Sequence, residues 1–179
     1  MQIKIEKGVK IEQDIIEKYK KTLPNELLEI WQEYGMAHLV DGYLRVINPE
    51  DYQALLNETY FRGTVSVPIL TTAFGDIITL EEGQYIRIVK YKNGTFDILA
   101  WNFNHFLQIV EDEYFQDKYF QIPQYVEAVK RLGEIEQDEC FGYVPLLGLG
   151  GSEKVENLDK VKTREHIEII SQLVGKIGM

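Results

Sequence analysis

The dipeptide Asn93-Gly94, set between two runs rich in β-branched and aromatic residues, constrains this chain more than any other stretch. Asn-Gly favours the positive φ angles of a two-residue type I′ turn, so residues 85–92 and 95–101 read as the arms of a β-hairpin. That turn implies a register. Tyr91 faces Phe96, Lys90 faces Asp97 as an opposite-charge pair, and Val89 faces Ile98. Upstream, Glu81-Glu82-Gly83-Gln84 reads as a second turn and Asp76-Ile77-Ile78-Thr79-Leu80 as a third strand. The three strands make an antiparallel meander sheet flanked by helices: an α+β fold, either a single compact unit or two subdomains sharing a core.

Helical periodicity surrounds the meander. Ile11, Ile15, Ile16 and Tyr19 share one face of a first helix, and Pro24 opens a second whose stripe is Leu27, Leu28, Trp31 and Tyr34, ended by Gly35. Asp41-Gly42 reads as a turn before a short strand at 43–47, and Asn48 as the cap of a third helix with Tyr52, Leu55, Leu56 and Thr59 inward. A strand at 65–71 and a turn at Gly75 lead into the meander. Beyond it, Asn102 caps a helix carrying Phe103, Phe106, Leu107 and Val110, and an acidic helix follows at 112–119. Pro123 begins another helix, with Tyr125, Val126, Val129 and Leu132 on it, that stops at Gly133. The apolar, glycine-rich stretch 139–151 reads as a buried edge segment or close-packed loop under the sheet. Thr163 caps a last helix with Ile167, Ile170, Ser171 and Val174 along one side. The expected division is a helical part at 1–63 and the meander with the C-terminal helices at 64–179, with any seam at 62–64.

Charge narrows the function classes. With 19 basic and 29 acidic residues the formal charge is −10, which argues against nucleic acid as the main direct partner and suits a basic protein. Residues 102–140 hold nine acidic and three basic side chains, six of the ten net charges. Such a run serves either solubility or docking. The nominated partner contacts are Glu81 and Glu82 at an exposed turn, Glu111, Asp112, Glu113 and Asp117, and Glu134, Glu136, Asp138 and Glu139. No apolar run approaches the ~18 residues of a membrane span, so no membrane partner is expected. A single cysteine, Cys140, points to a reducing cytoplasm.

The chemical constellations are weak. Gly148-Leu149-Gly150-Gly151-Ser152-Glu153-Lys154 lacks the terminal Gly-Lys-Ser/Thr of a phosphate loop and the third glycine of a dinucleotide fingerprint, which leaves a packing turn. Cys140 with His38, His105 or His166 could form a thiol–imidazole pair, but its acidic neighbours would raise the thiol pKa. The three histidines have no metal-ligand spacing, and the acidic runs lack the alternation of a calcium loop. No catalytic residue, cofactor or metal is expected.

The order of motifs carries more. Leu23-Pro24-Asn25-Glu26-Leu27-Leu28-Glu29-Ile30-Trp31-Gln32-Glu33-Tyr34-Gly35, then Asp41-Gly42 and Val46-Ile47-Asn48-Pro49-Glu50-Asp51-Tyr52, resemble the GAD-like domain. Thr72-Ala73-Phe74-Gly75-Asp76, Glu139-Cys140-Phe141-Gly142-Tyr143-Val144-Pro145, Leu149-Gly150-Gly151 and Arg164-Glu165-His166 resemble the C-terminal domain of immunity proteins paired with type VI secretion DNase effectors. The first half also resembles, more distantly, the SUKH-like immunity proteins. The resemblance implies a cytoplasmic antitoxin that binds and blocks a cognate secreted toxin, a basic nuclease, without catalysis. A competing reading is a non-catalytic regulatory domain that binds a small molecule or peptide between the meander and the Trp31 helix.

Overall fold

In the computed structural model, which describes residues 3–179, seven strands join in chain order into one antiparallel sheet. They are β1 (Ile5–Glu6), β2 (His38–Leu39), β3 (Leu44–Val46), β4 (Ser66–Thr72), β5 (Ile77–Glu81), β6 (Tyr85–Lys90) and β7 (Thr95–Ala100). Helices α1 (Gln13–Tyr19) and α2 (Asn25–Tyr34) lie between β1 and β2, and α3 (Gln53–Thr59) lies between β3 and β4. After β7 come α4 (Phe103–Ile109), α5 (Glu113–Tyr119) and α6 (Ile122–Leu132). The antiparallel pair β8 (Glu139–Tyr143) and β9 (Leu158–Lys162) forms a second small sheet, and α7 (Thr163–Val174) follows it.

Local chemistry sets the helix ends. Asn102 Oδ1 accepts the His105 N–H at 2.7 Å and Asp112 Oδ1 the Phe115 N–H at 2.9 Å, so α4 and α5 each begin on a satisfied donor. Asn48 caps a 3-10 turn, Pro49–Asp51, that precedes α3. Gly35, at φ 69°, ends α2.

Helices cover both faces of the sheet. One core packs Leu27 and Trp31 of α2 and Phe103 and Phe106 of α4 on Leu70, Ile78, Leu80, Ile86 and Ile88. The other packs Leu56 and Tyr60 from α3 and its C-terminal flank, with Ile167 and Ile170 of α7, on Ile77, Val89 and Tyr91. β5 is therefore buried along its whole length. The polar residues Thr79 and Glu81 lie inside with the isoleucines.

The hairpin forms in a different register. Lys90 pairs with Thr95, Val89 with Phe96, Ile88 with Asp97 and Arg87 with Ile98, two residues from the expected alignment. A slip of two keeps every side chain on its expected face. Its cause is Tyr91, whose ring is buried and whose hydroxyl bonds Thr59 Oγ1 at 2.7 Å; this draws Tyr91–Asn93 out of the ladder into a 3-10 turn closed by Gly94. Consecutive positive φ angles occur instead at Glu82 (54°) and Gly83 (69°), where the Gln84 N–H donates to the Glu81 carbonyl at 3.0 Å.

Three further expectations are corrected. The stretch 139–151 is not uniformly buried: β8 is interior, but residues 144–150 lie at or near the surface. Thr163 is the first residue of α7 rather than its cap, and Val174, expected inward, is exposed. The two-residue strands β1 and β2 escaped the periodicity, being too short to show one.

The sheet continues across residues 62–64, and the later helices are tied back to it. Arg45, nearly inaccessible in β3, donates Nη2 to the Ile135 carbonyl at 2.9 Å and Nη1 to the Glu136 carbonyl. Gln137 Nε2 donates to the Val46 carbonyl at 2.9 Å, and the Gln121 N–H donates to Tyr43 Oη at 3.1 Å. Arg45→Ala removes the donors of buried carbonyls and opens a cavity, so urea unfolding should show a loss of about 3 kcal/mol or more. Arg45→Lys, with one point charge in place of a planar fork, should recover only part of it.

Candidate functional site

The ten nominated carboxylates fall into three environments. Glu81 does not stand at an exposed turn. It is 1% exposed, ends β5, and lies between the Arg62 and Arg87 guanidiniums, Nε of each facing one of its oxygens. A buried carboxylate held by two arginines neutralises an internal site and offers nothing to a partner. Glu82 is exposed but also bonds Arg62, at 2.6 Å, and Asp138 pairs with Lys162 at 3.0 Å. The other seven, Glu111, Asp112, Glu113, Asp117, Glu134, Glu136 and Glu139, form no ion pair among the described residues.

Part of this group converges. Burial raises the Glu111 carboxyl above its ordinary range, and the nearby Asp41 carboxylate pushes the same way. Tyr125 Oη donates to the Asp41 carbonyl at 3.1 Å; burial raises its pKa, Arg45 lowers it, and Glu134, Asp41 and Glu6 raise it further. Arg45 is disfavoured as a cation by burial and favoured by Glu134, Glu136 and Glu139. Glu6, Asp41 and Glu134 thus lie near Tyr125, Glu111 near Asp41, and Glu136 and Glu139 near Arg45, beside the β1–β3 edge, with Lys4 bonded to Glu6 at 3.4 Å and to Asp41 at 3.1 Å. Sequence reasoning missed Glu6 and Asp41, which enter only through the fold. Asp117 lies elsewhere, in a depression with Lys90, Lys118 and Gln121. The acidic run is therefore not one continuous patch.

The other candidates separate. Cys140 is fully buried against Gly75, and burial pushes its thiol up to about 12. His166 lies over Gly142, two residues along β8, with no hydrogen bond to the sulfur. His38 bonds Gln137 Oε1 at 3.1 Å, and His105 stacks on exposed Trp101 at 3.7 Å between centroids. Gly150 closes a 3-10 turn, and no helix begins directly at it to complete an anion site, the next helical turn starting at Val155. Among the described residues, no three His, Cys, Asp or Glu side chains are placed to hold a metal ion. Among the described residues, no helix is long and apolar enough to cross a membrane. Trp31 is buried, and the space between α2 and the meander amounts to a depression of about 320 Å³ lined by Pro24, Leu80, Gln84 and Phe103.

Comparison with known proteins fits this geometry. Residues 3–92, half of the sequence, match the GAD-like domain. The chain belongs to the GAD-like family. Behind the GAD-like part, residues 100–174 match the C-terminal domain of the type VI secretion immunity protein Tdi1, which supports a role as an immunity protein of such a system and implies binding of a cognate effector. The two matches meet at the hairpin, between residues 92 and 100. The crystal structure of Atu4351 from Agrobacterium tumefaciens is similar at 19% identity and a TM-score of 0.77, covering 92% of this chain and 82% of that one. At that identity the likeness shows the fold. No curated protein sequence matches the chain.

The burial of Cys140 gives a direct check. At pH 8 the folded GAD-like protein should react with a thiol reagent such as DTNB at least ~100-fold more slowly than the urea-unfolded chain. Rapid labelling of the folded protein would contradict the buried, protonated thiol.

Proposed function

We propose that this protein is an immunity protein that neutralises a cognate type VI toxin by binding it, that the toxin is a nuclease, and that binding covers its basic surface. The observation that carries the reading is the match of residues 100–174 to the Tdi1 immunity family. Charge supports the finer part. A nuclease presents cations to a phosphate backbone, and an anionic protein is drawn to those cations at long range and competes for the groove they line. The net charge of −10 and the convergence of Asp41, Glu111, Glu134, Glu136 and Glu139 on one edge supply the required sign.

On this reading the protein acts in the cytoplasm, between the incoming toxin and the nucleic acid it would cut, and transforms nothing itself. A prefolded binder suits the task. Its core is closed on both sheet faces, so little ordering entropy is spent on association. The converged carboxylates govern encounter, while tight binding would come from side chains desolvated at the centre of the contact.

Coexpression with the product of the adjacent gene should abolish that product's toxicity. The purified pair should associate more slowly as salt rises from about 50 to 500 mM. Reversing Glu111, Glu134 and Glu136 together to lysine should slow association about tenfold at low salt and change dissociation little. Undiminished toxicity beside well-expressed protein would contradict the immunity role. Association indifferent to salt would contradict the electrostatic part alone.

A further inference from the structure

The hairpin tip, α7 and the loop after β8 enclose a cavity that the acidic edge does not touch. Its volume is about 380 Å³, at the lower end of the ~300–1,000 Å³ typical of small-molecule sites. Tyr91 and Tyr143 give it aromatic walls, Leu146, Ile170 and Leu173 aliphatic ones, and His166 and Asn93 polar ones. Its neighbourhood is apolar as well, with Leu149 64%, Val174 51% and Leu173 44% exposed. A soluble protein seldom leaves such a group uncovered without a use for it.

His166 is the telling member. It is only 8% exposed, lines the cavity, and its ring makes no hydrogen bond among the described residues. The missing side chain of Gly142 creates its place: a Cβ there would come within 2.6 Å of Nε2. Burial alone holds the imidazole below its ordinary pKa, so near pH 7 the ring is neutral, with one donor and one acceptor nitrogen. The charged side chain that lines the cavity, Lys92, is already paired. Lys92 Nζ meets Asp76 Oδ1 at 3.1 Å, both nearly inaccessible, while Asp76 Oδ2 accepts the Thr72 hydroxyl at 2.8 Å. The cavity therefore offers apolar surface, a neutral imidazole with no protein partner, the Asn93 amide at its rim and no free charge.

We propose that this cavity is a binding site for an uncharged small ligand with an aromatic or branched aliphatic body and a single amide, carbonyl or hydroxyl group that hydrogen-bonds to His166. A carboxylate would lose its hydration with no free cation to replace it, and a hydrocarbon would leave the imidazole as unpaired as before. The site does not depend on the toxin reading.

Benzamide, benzoate and toluene, titrated into the full chain and followed by NMR at the His166 ring and the methyls of Leu146, Ile170 and Leu173, test it. Benzamide should give saturable shifts at those residues, and benzoate should bind at least ~10-fold more weakly. His166→Leu should weaken benzamide about fivefold or more while leaving toluene nearly unchanged. Gly148→Val is the second variant. A Cβ at 148 points at Leu173 and Val174, 3.1 and 3.3 Å away, so it narrows the mouth without disturbing His166, and all probes should lose affinity. Absence of saturable shifts, equal binding of benzoate, or wild-type benzamide binding by either folded variant would overturn the proposal. Shifts of the same residues by the toxin but by no probe would assign the cavity to a protein side chain, and overturn it too.

Discussion

The arrangement of this protein depends on one buried cation. Arg45 sits in a three-residue strand, has no carboxylate partner within bonding range, and is solvated by the carbonyls of Gly42, Ile135 and Glu136. A guanidinium tolerates such a place because its planar fork serves several acceptors at once. The consequence reaches across the chain. The segment after α6 is held against the sheet, Gln137 adds its bond to Val46, and the Phe141 N–H donates to the Ala73 carbonyl at 2.7 Å, which docks β8 beside the β4–β5 turn. The GAD-like part and the immunity-type part are thereby one structure, and Glu134, Glu136 and Glu139 are brought near the arginine with the segment it holds.

That clamp also explains how the chain handles its charge. Carboxylates inside the fold are matched: Glu81 by Arg62 and Arg87, Asp76 by Lys92 and Thr72. Leaving either alone would cost several kcal/mol, on the order of the penalty for any broken buried pair. The surplus stays at the surface, and part of it collects where β1, the Asp41 turn and the segment after α6 meet. With Glu111, four distant parts of the sequence supply that edge. Its negative potential is a property of the tertiary fold, and the acidic composition alone did not locate it.

Local signals carried much of the architecture in the sequence. Asn102, Asp112 and Asn48 cap as their residue types suggest, Gly35 and Gly133 stop helices at positive φ, and the apolar stripes of α2 and α4 face the core. Long-range demands decided the rest. Tyr91 looks like a ladder residue until Thr59 and the α3–α7 core claim it, which moves the hairpin register. Glu81 looks like a turn residue until two arginines, one from a distant loop and one from the neighbouring strand, enclose it. The candidate site was legible as a stretch of acids near Glu134–Glu139, but Asp41 and Glu6 could not be read, since no spacing connects them. His166 and its cavity were equally hidden, because Gly142 makes room for the ring only once β8 lies under α7.

The central claim is that this molecule works as a rigid, prefolded surface that another protein covers. Hydrogen–deuterium exchange of the protein with and without the adjacent gene product addresses it most directly. The account predicts slowed exchange confined to the Asp41 turn, β1 and the segments around Glu111 and 134–139, with the central strands unchanged. No slowing anywhere, or slowing spread through β4 and β5 as in folding on binding, would contradict it.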